Sequence, residues 1–305
     1  MKVSIIGVGN VGGTLAQRIA EADLADVVMV DIAGGIAEGK SLDLKDAESI
    51  IGHSRKIMGT TDYKKIAGSS IVVVPAGLPR QPGMSREDLL KKNVSIVKQV
   101  IKQVAKYAPN AILLMVTNPL DILTYIALKE SKFDSKRVIG MGGVLDSSRL
   151  ANLIAKELKT QAASVQALVI GAHGKDMIPL LRYCNVSGIS VLELLSKEKL
   201  DKIIDKTIER GAEIVSLLGK GSAYYAPSAA AFLMVKAILN DEKKIVPACV
   251  YLKGEYGLRD VCVGVPISLG KDGIEDIIEL KLTAQEKAKL SACAASIKKT
   301  LSNLV

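Results

Sequence analysis

An apolar segment, Val3-Ser4-Ile5-Ile6, runs directly into Gly7-Val8-Gly9-Asn10-Val11-Gly12, a complete GxGxxG followed by a helical pattern over residues 11–22. This feature constrains the fold more than any other. The glycines serve a tight turn, a close approach of backbone to a pyrophosphate, and the packing of helix on strand. The helix that follows offers unpaired N–H groups and the positive end of its dipole to phosphate. A second apolar run ends at Asp31, about 20 residues on, where a carboxylate can accept from both ribose hydroxyls of an adenosine. It would also repel a 2′-phosphate, which favours NAD over NADP. The competing reading of Asp31 is a helix cap.

The rhythm of the first 140 residues extends this start. VSIIGV, VVMVDI, IVVVPAG, ILLMVTN and RVIGM are short, rich in β-branched residues, and end in turn formers. Continuous apolar runs suit strands buried on both faces, hence a parallel sheet covered by helices. The helix over 86–107 carries its apolar residues at Leu89, Leu90, Val94, Val97, Val100, Ile101 and Val104. The fold class is α/β: a Rossmann-type doubly wound parallel sheet, followed by a mixed α+β domain. The boundary falls near residue 145, giving domains 1–144 and 145–305. Beyond it come a helix over 146–158, strand QALVIG, a strand near 183–186, and helices near 197–218 and 227–240. An antiparallel hairpin of IVPACVYL and VCVGVPISLG and a helix over 283–301 complete the chain.

Composition excludes several classes. With aromatics at 3% and no Trp, the core is aliphatic. The net charge of +9 serves solubility or draws in anions. The lysines are scattered without an aromatic-rich basic cluster, so nucleic acid is not the expected partner. The four cysteines form no CxxC and have no interleaved His, which argues against zinc and against a disulfide scaffold. No metal is expected, no bilayer-spanning run is visible, and no signal peptide precedes the first strand, so the expected location is cytoplasmic.

There are two histidines. His53, in the polar segment GHSRK, reads as a solvated surface residue. His173 leaves an apolar strand between small residues, in AHG, and is either a structural histidine or an acid/base group. Asp146 and Arg149, in GMGGVLDSSRL, are three apart and share a helix face. They form either a surface ion pair or a site in which the carboxylate orients a histidine and the guanidinium grips a carboxylate. The segment from Ala76 to Arg86 carries Arg80 and Arg86 among two prolines and two glycines, as a lid or as an ordinary basic loop. Val116-Thr117-Asn118-Pro119 ends a strand at the same edge, and its amide is available to a polar ligand.

GVGNVG, AGLPRQPGMSREDLL, VTNPLDILTYIALK, GMGGVLDSSRL, GAHGKDMIPL and GSAYYAPSAA together resemble the lactate/malate dehydrogenase family over essentially the whole chain. The resemblance implies an NAD-dependent oxidoreductase of 2-hydroxy acids. It implies that His173 exchanges a proton with the substrate oxygen, that Asp146 orients it, and that Arg149 clamps the C1 carboxylate. Arg86 polarises the carbonyl, Asn118 bonds the substrate, Val116 touches the nicotinamide side and Asn93 reaches the cofactor. Arg80 stands where the lactate branch is similar to a neutral Gln. Burying a second carboxylate unpaired costs several kcal/mol, on the order of 2–7 for a polar group and more for a charge, and a bidentate Arg relieves it. The implied substrate is therefore a small dicarboxylate, malate or oxaloacetate, with lactate as the alternative. A glycosidase on the same cofactor fold would need a metal site, and an inactive NAD-binding protein would not need this set of charged residues. Gly174 is followed by Lys175 and Asp176, a departure from the family's Gly-Asp pattern, and Ala223 is similar to the malate side. The resemblance further implies a homo-oligomer, dimer or tetramer.

Overall fold

The computed structural model describes residues 1–78 and 86–304. Arg80 lies outside the described residues, as does the side chain of Arg86. The chain divides into two compact units. One holds Met1–Met141, Tyr224–Lys244 and Ser268–Asp276; the other holds Gly142–Ala223, Ile245–Ile267 and Ile277–Val305.

The first unit begins with β1 (Lys2–Ile6), α1 (Asn10–Glu21), β2 (Asp26–Val30), α2 (Gly34–Asp46), α3 (Glu48–Ile51) and β3 (Ile57–Thr60). It continues with β4 (Ile71–Val74), α4 (Arg86–Tyr107), β5 (Ile112–Met115), α5 (Leu120–Ser131) and β6 (Val138–Gly140). Six parallel strands lie in the order β3-β2-β1-β4-β5-β6. Val3 pairs with Val27 on one side and Ile71 on the other. Strand order therefore reverses at β1, and the loops after β1 and β4 flank the switch point where open α/β sheets take their ligands. β4 and β5 are buried at every position, as expected for strands covered on both faces.

Helix α1 buries Leu15, Ala16, Ile19 and Ala20, spaced to present one stripe. It also packs on α9 (Tyr225–Leu239), which returns to this unit late in the chain. Arg18 Nε donates to Oγ of the fully buried Ser228 at 3.2 Å.

The second unit contains α6 (Gly143–Leu158), β7 (Val165–Gln166), β8 (Val169–Gly171), β9 (Met177–Pro179), β10 (Asn185–Val186), β11 (Ile189–Ser190), α7 (Val191–Leu194) and α8 (Lys197–Leu218). It also holds most of β12 (Lys244–Lys253) and β13 (Arg259–Gly270), and all of α10 (Ala284–Ser302). The tip formed by the end of β13 and by β14 (Gly273–Ile277) belongs largely to the first unit. Strands run β12-β13-β8-β9, with β13–β8 and β8–β9 antiparallel, and a small sheet runs β11-β10-β7. The core joins Leu150, Leu153 and Ile154 of α6 to Val169 of β8 and to Leu200 and Ile203 of α8. That packing seats the N-terminus of α6 beside the C-terminal end of β8. Gly143 permits it, since a Cβ there would stand 2.7 Å from Pro247 Cβ.

Candidate active site

In the first unit the glycine loop is shaped by crowding. Gly7 has φ of 100°, and a Cβ on it would lie 2.6 Å from Ala76 Cα. A Cβ on Gly12 would lie 2.1 Å from Gly7 O. Among the described residues nothing stands within 4 Å of a Cβ on Gly9, so that glycine leaves space beside the loop. Helix α1 starts here without a side-chain cap and without an acid in its first turn. Its first turn thus offers N–H groups without a capping side chain or an acid of its own, a fitting seat for a pyrophosphate. Asn10 and Val11 open the helix, and Val8 is fully buried.

Asp31 lies at the end of β2. Its Oδ2 accepts the Val8 N–H at 2.7 Å and its Oδ1 the Ala33 N–H at 3.0 Å. It thus ties the loop to the entry of α2, and a carboxylate keeps further lone pairs on both oxygens for ribose hydroxyls.

The loops after β4 and β5 are joined by Asn93 of α4, which is 2% exposed. Asn93 Oδ1 accepts the Leu78 N–H at 2.8 Å, and its Nδ2 donates to Asn118 O at 3.0 Å. Thr117 Oγ1 donates to Val74 O and Ala76 O. Val116 and Thr117 are buried, while Asn118 is exposed. A Cβ on Gly77 would lie 2.6 Å from Thr117 Cγ2, so the two loops touch at this point.

In the second unit His173 Nδ1 lies 2.8 Å from Asp146 Oδ2. Arg149 Nη1 stands 3.5 Å from the other oxygen, Oδ1, of the same carboxylate. The side chains of His173, Asp146 and Arg149 are 13%, 3% and 12% exposed, so this is no surface ion pair. Burial pushes the Arg149 pKa down, Asp146 opposes that, and Arg210 adds to it. Arg149 Nε is buried and has no hydrogen-bond partner among the described residues. A buried guanidinium with an unused donor suits an anionic ligand.

Backbone geometry sets His173. Gly171 and Gly174, with φ of 85° and 121°, bend the chain on either side of it. The Ala172 N–H donates to Cys293 Sγ at 3.0 Å, which fastens the bend to α10. Lys175 and Asp176 are exposed, and the ring is held by Asp146. Periodicity carries no signal for the Cys293 contact, 121 residues away.

His53 corrects the sequence reading. It is only 5% exposed, with Nε2 against Leu44 O at 3.3 Å, rather than a solvated surface residue. Loop composition predicted solvent, whereas the ring is buried with one nitrogen against Leu44 O of α2. The four cysteines are buried thiols. Among the described residues no group of His, Cys, Asp or Glu could hold a metal ion, and no helix is long and apolar enough to cross a membrane.

A doubly wound sheet carrying a dinucleotide loop in one unit, and a buried His-Asp-Arg set in the other, define an oxidoreductase of a particular kind. Residues 1–140 match the family model of the lactate/malate dehydrogenase NAD binding domain, and residues 143–305 match that of the alpha/beta C-terminal domain. The chain belongs to the lactate/malate dehydrogenase family, and its cofactor is NAD. It is 49% identical over 304 residues to a malate dehydrogenase of Methanosarcina mazei, covering 100% of this chain and 99% of that one. Among solved structures, the malate dehydrogenase of Cryptosporidium parvum superposes with a TM-score of 0.97 at 40% identity, covering 99% and 98% of the two chains. The lactate dehydrogenase of the same organism, complexed with lactic acid and β-nicotinamide adenine dinucleotide, superposes with a TM-score of 0.95 at 38% identity, covering 99% and 97%. The fold is therefore shared by both substrate classes, and the side chains must decide between them.

Proposed function

We propose that this chain is an NAD-dependent malate dehydrogenase, interconverting malate with NAD⁺ and oxaloacetate with NADH and a proton. The observation that carries the chemistry is the buried His173–Asp146 pair at 2.8 Å with Arg149 on the opposite carboxylate oxygen. NADH, when bound, supplies the hydride that reaches C2 of oxaloacetate. His173 gives its Nε2 proton to the C2 oxygen while its Nδ1–H stays bonded to Asp146. The carboxylate fixes that tautomer and stabilises the imidazolium. In malate oxidation His173 takes the same proton back. Arg149 holds the C1 carboxylate by paired hydrogen bonds, for which its unused Nε–H is suited.

Arg86 polarises the C2 carbonyl, and Asn118 donates to the substrate. Gly7, Gly9, Asn10, Val11 and Gly12 seat the pyrophosphate, and Asp31 takes the adenosine ribose. Asn93 acts through the loops it joins, with Val116 and Thr117 on the nicotinamide side. Residues 1–144 serve the cofactor and 145–305 the substrate. Arg80 meets the second carboxylate and makes a methyl group in its place unfavourable, because the guanidinium would then be unpaired.

The reading extends to a cytoplasmic enzyme of the tricarboxylic acid cycle, acting as a homo-oligomer, dimer or tetramer. Exposed Ile36, Leu42, Ile50 and Ile51 on α2 and α3, and Leu217 and Leu218 at the end of α8, support self-association. Sedimentation at micromolar concentration checks it, and monomer alone would refute it.

The substrate assignment is tested by NADH oxidation with oxaloacetate and with pyruvate, on wild type and Arg80→Gln. A strong oxaloacetate preference that the variant loses supports the reading. A wild-type preference for pyruvate makes the chain a lactate dehydrogenase, the reading left open by its likeness to that structure.

A further inference from the structure

Lys40 lies on α2, a helix that buries only Ala37 and Ser41, so core packing does not explain where its side chain goes. Its Nζ reaches back to the glycine loop, 2.7 Å from Val8 O and 3.0 Å from Gly9 O. Gly13 leaves room for it: a Cβ there would stand 3.0 Å from Nζ and 3.3 Å from Cδ. The glycine that follows the GxGxxG motif thus leaves space for a lysine that arrives from another helix, which a Cβ would oblige to shift by a few tenths of an ångström.

We infer that Lys40 is a positioning residue for the pyrophosphate end of the cofactor site. In a trans peptide the C=O and N–H point in opposite directions. Drawing the carbonyls of Val8 and Gly9 onto one ammonium turns the N–H groups of Gly9 and Asn10 away from it. The loop is held at a second point by Asp31, which takes the Val8 N–H. Gly9 O also accepts the Gly13 N–H at 2.9 Å, so the orientation of that peptide continues into the first turn of α1. The ammonium therefore sets the amides that face the phosphates and adds a fixed positive charge behind a helix start that has no acid in its first turn. Charge-assisted hydrogen bonds hold a backbone more firmly than neutral ones, and the donor is supplied before the ligand arrives.

The inference rests on the NAD reading of this loop, and the test separates the two. Lys40→Met keeps the aliphatic stem and removes the donors. Kd is measured from NADH fluorescence in a protein that has no Trp, and by competition with ADP and with adenosine. The expected result is a rise on the order of tenfold in Kd for NADH and for ADP, with adenosine binding unchanged and kcat at saturating NADH within about twofold. Lys40→Arg should restore most of the affinity. Equal NADH and ADP affinities in Lys40→Met and wild type overturn the inference, as does an equal weakening of adenosine, which marks general collapse of the loop. A wild type that binds neither NADH nor ADP overturns the NAD reading itself.

Discussion

Replacing Asp146 by Asn keeps the outline of the His173 pair and removes its charge. The structure sets the size of the effect. The pair is buried and in direct hydrogen bond at 2.8 Å. Unit charges about 4 Å apart in a site of effective dielectric constant about 20 attract by about 4 kcal/mol. The Asn oxygen still accepts the Nδ1–H and recovers about 1 kcal/mol, the ordinary net worth of such a bond. The imidazolium thus loses about 3 kcal/mol of stabilisation, and at about 1.4 kcal/mol per decade turnover falls on the order of 10²-fold. The assay is kcat for oxaloacetate reduction, followed by NADH absorbance, with NADH affinity measured alongside. Affinity should hold, because Asp31 and the glycine loop belong to the other unit. Turnover within about threefold of wild type, in a variant with normal NADH affinity, would refute the reasoning, since the carboxylate's charge would then be unused.

Further expectations concern the scaffold. The Arg55 guanidinium, with the Ser54 N–H, lowers the Asp23 carboxyl from 3.8 to about 2. A depressed carboxylate lends stability above its unfolded value that is lost as pH falls through its folded one. Asp23→Asn should therefore flatten the acid limb of the stability curve between 3.8 and about 2, and an unchanged limb would count against the pair. Burial pushes the Cys184 thiol up to about 11, and all four cysteines are buried. A thiol reagent near neutral pH should label the native protein slowly and the denatured protein fully, while fast native labelling would contradict the packing. Gly12→Ala must displace Gly7 O, which lies 2.1 Å from the new Cβ. A cost of about 1–3 kcal/mol in denaturant melts, with loss of NADH binding, is expected, and a neutral outcome would mean the loop is loose.

What the sequence conveyed depended on how local the signal was. The helices over 86–107 and 197–218 were legible to the residue, because each carries a long stripe with solvent on the other face. β3 escaped notice: as an edge strand it buries only Ile57, so it shows no apolar run. α2 likewise has almost no buried face. The return of α9 to pack on α1 arises from contacts such as Arg18 to Ser228, 210 residues apart, which no local pattern encodes. At the site, Gly7 and Gly12 were legible because a positive φ and a blocked Cβ position leave glycine as the residue that fits. Asp146 and Arg149 were legible as neighbours on a helix. The reach from Asp146 to His173, 27 residues away, came from the family resemblance instead. His53 was misread because loop composition says nothing of what folds over it, and Lys40 was overlooked as one lysine among many.

The most direct test of the central claim compares binding with turnover in His173→Ala. A folded protein with wild-type NADH affinity is expected, with oxaloacetate reduction lowered by a factor on the order of 10² or more, the usual worth of a positioned acid/base group. Turnover close to that of wild type would contradict it, because the proton would then be moving through some other residue.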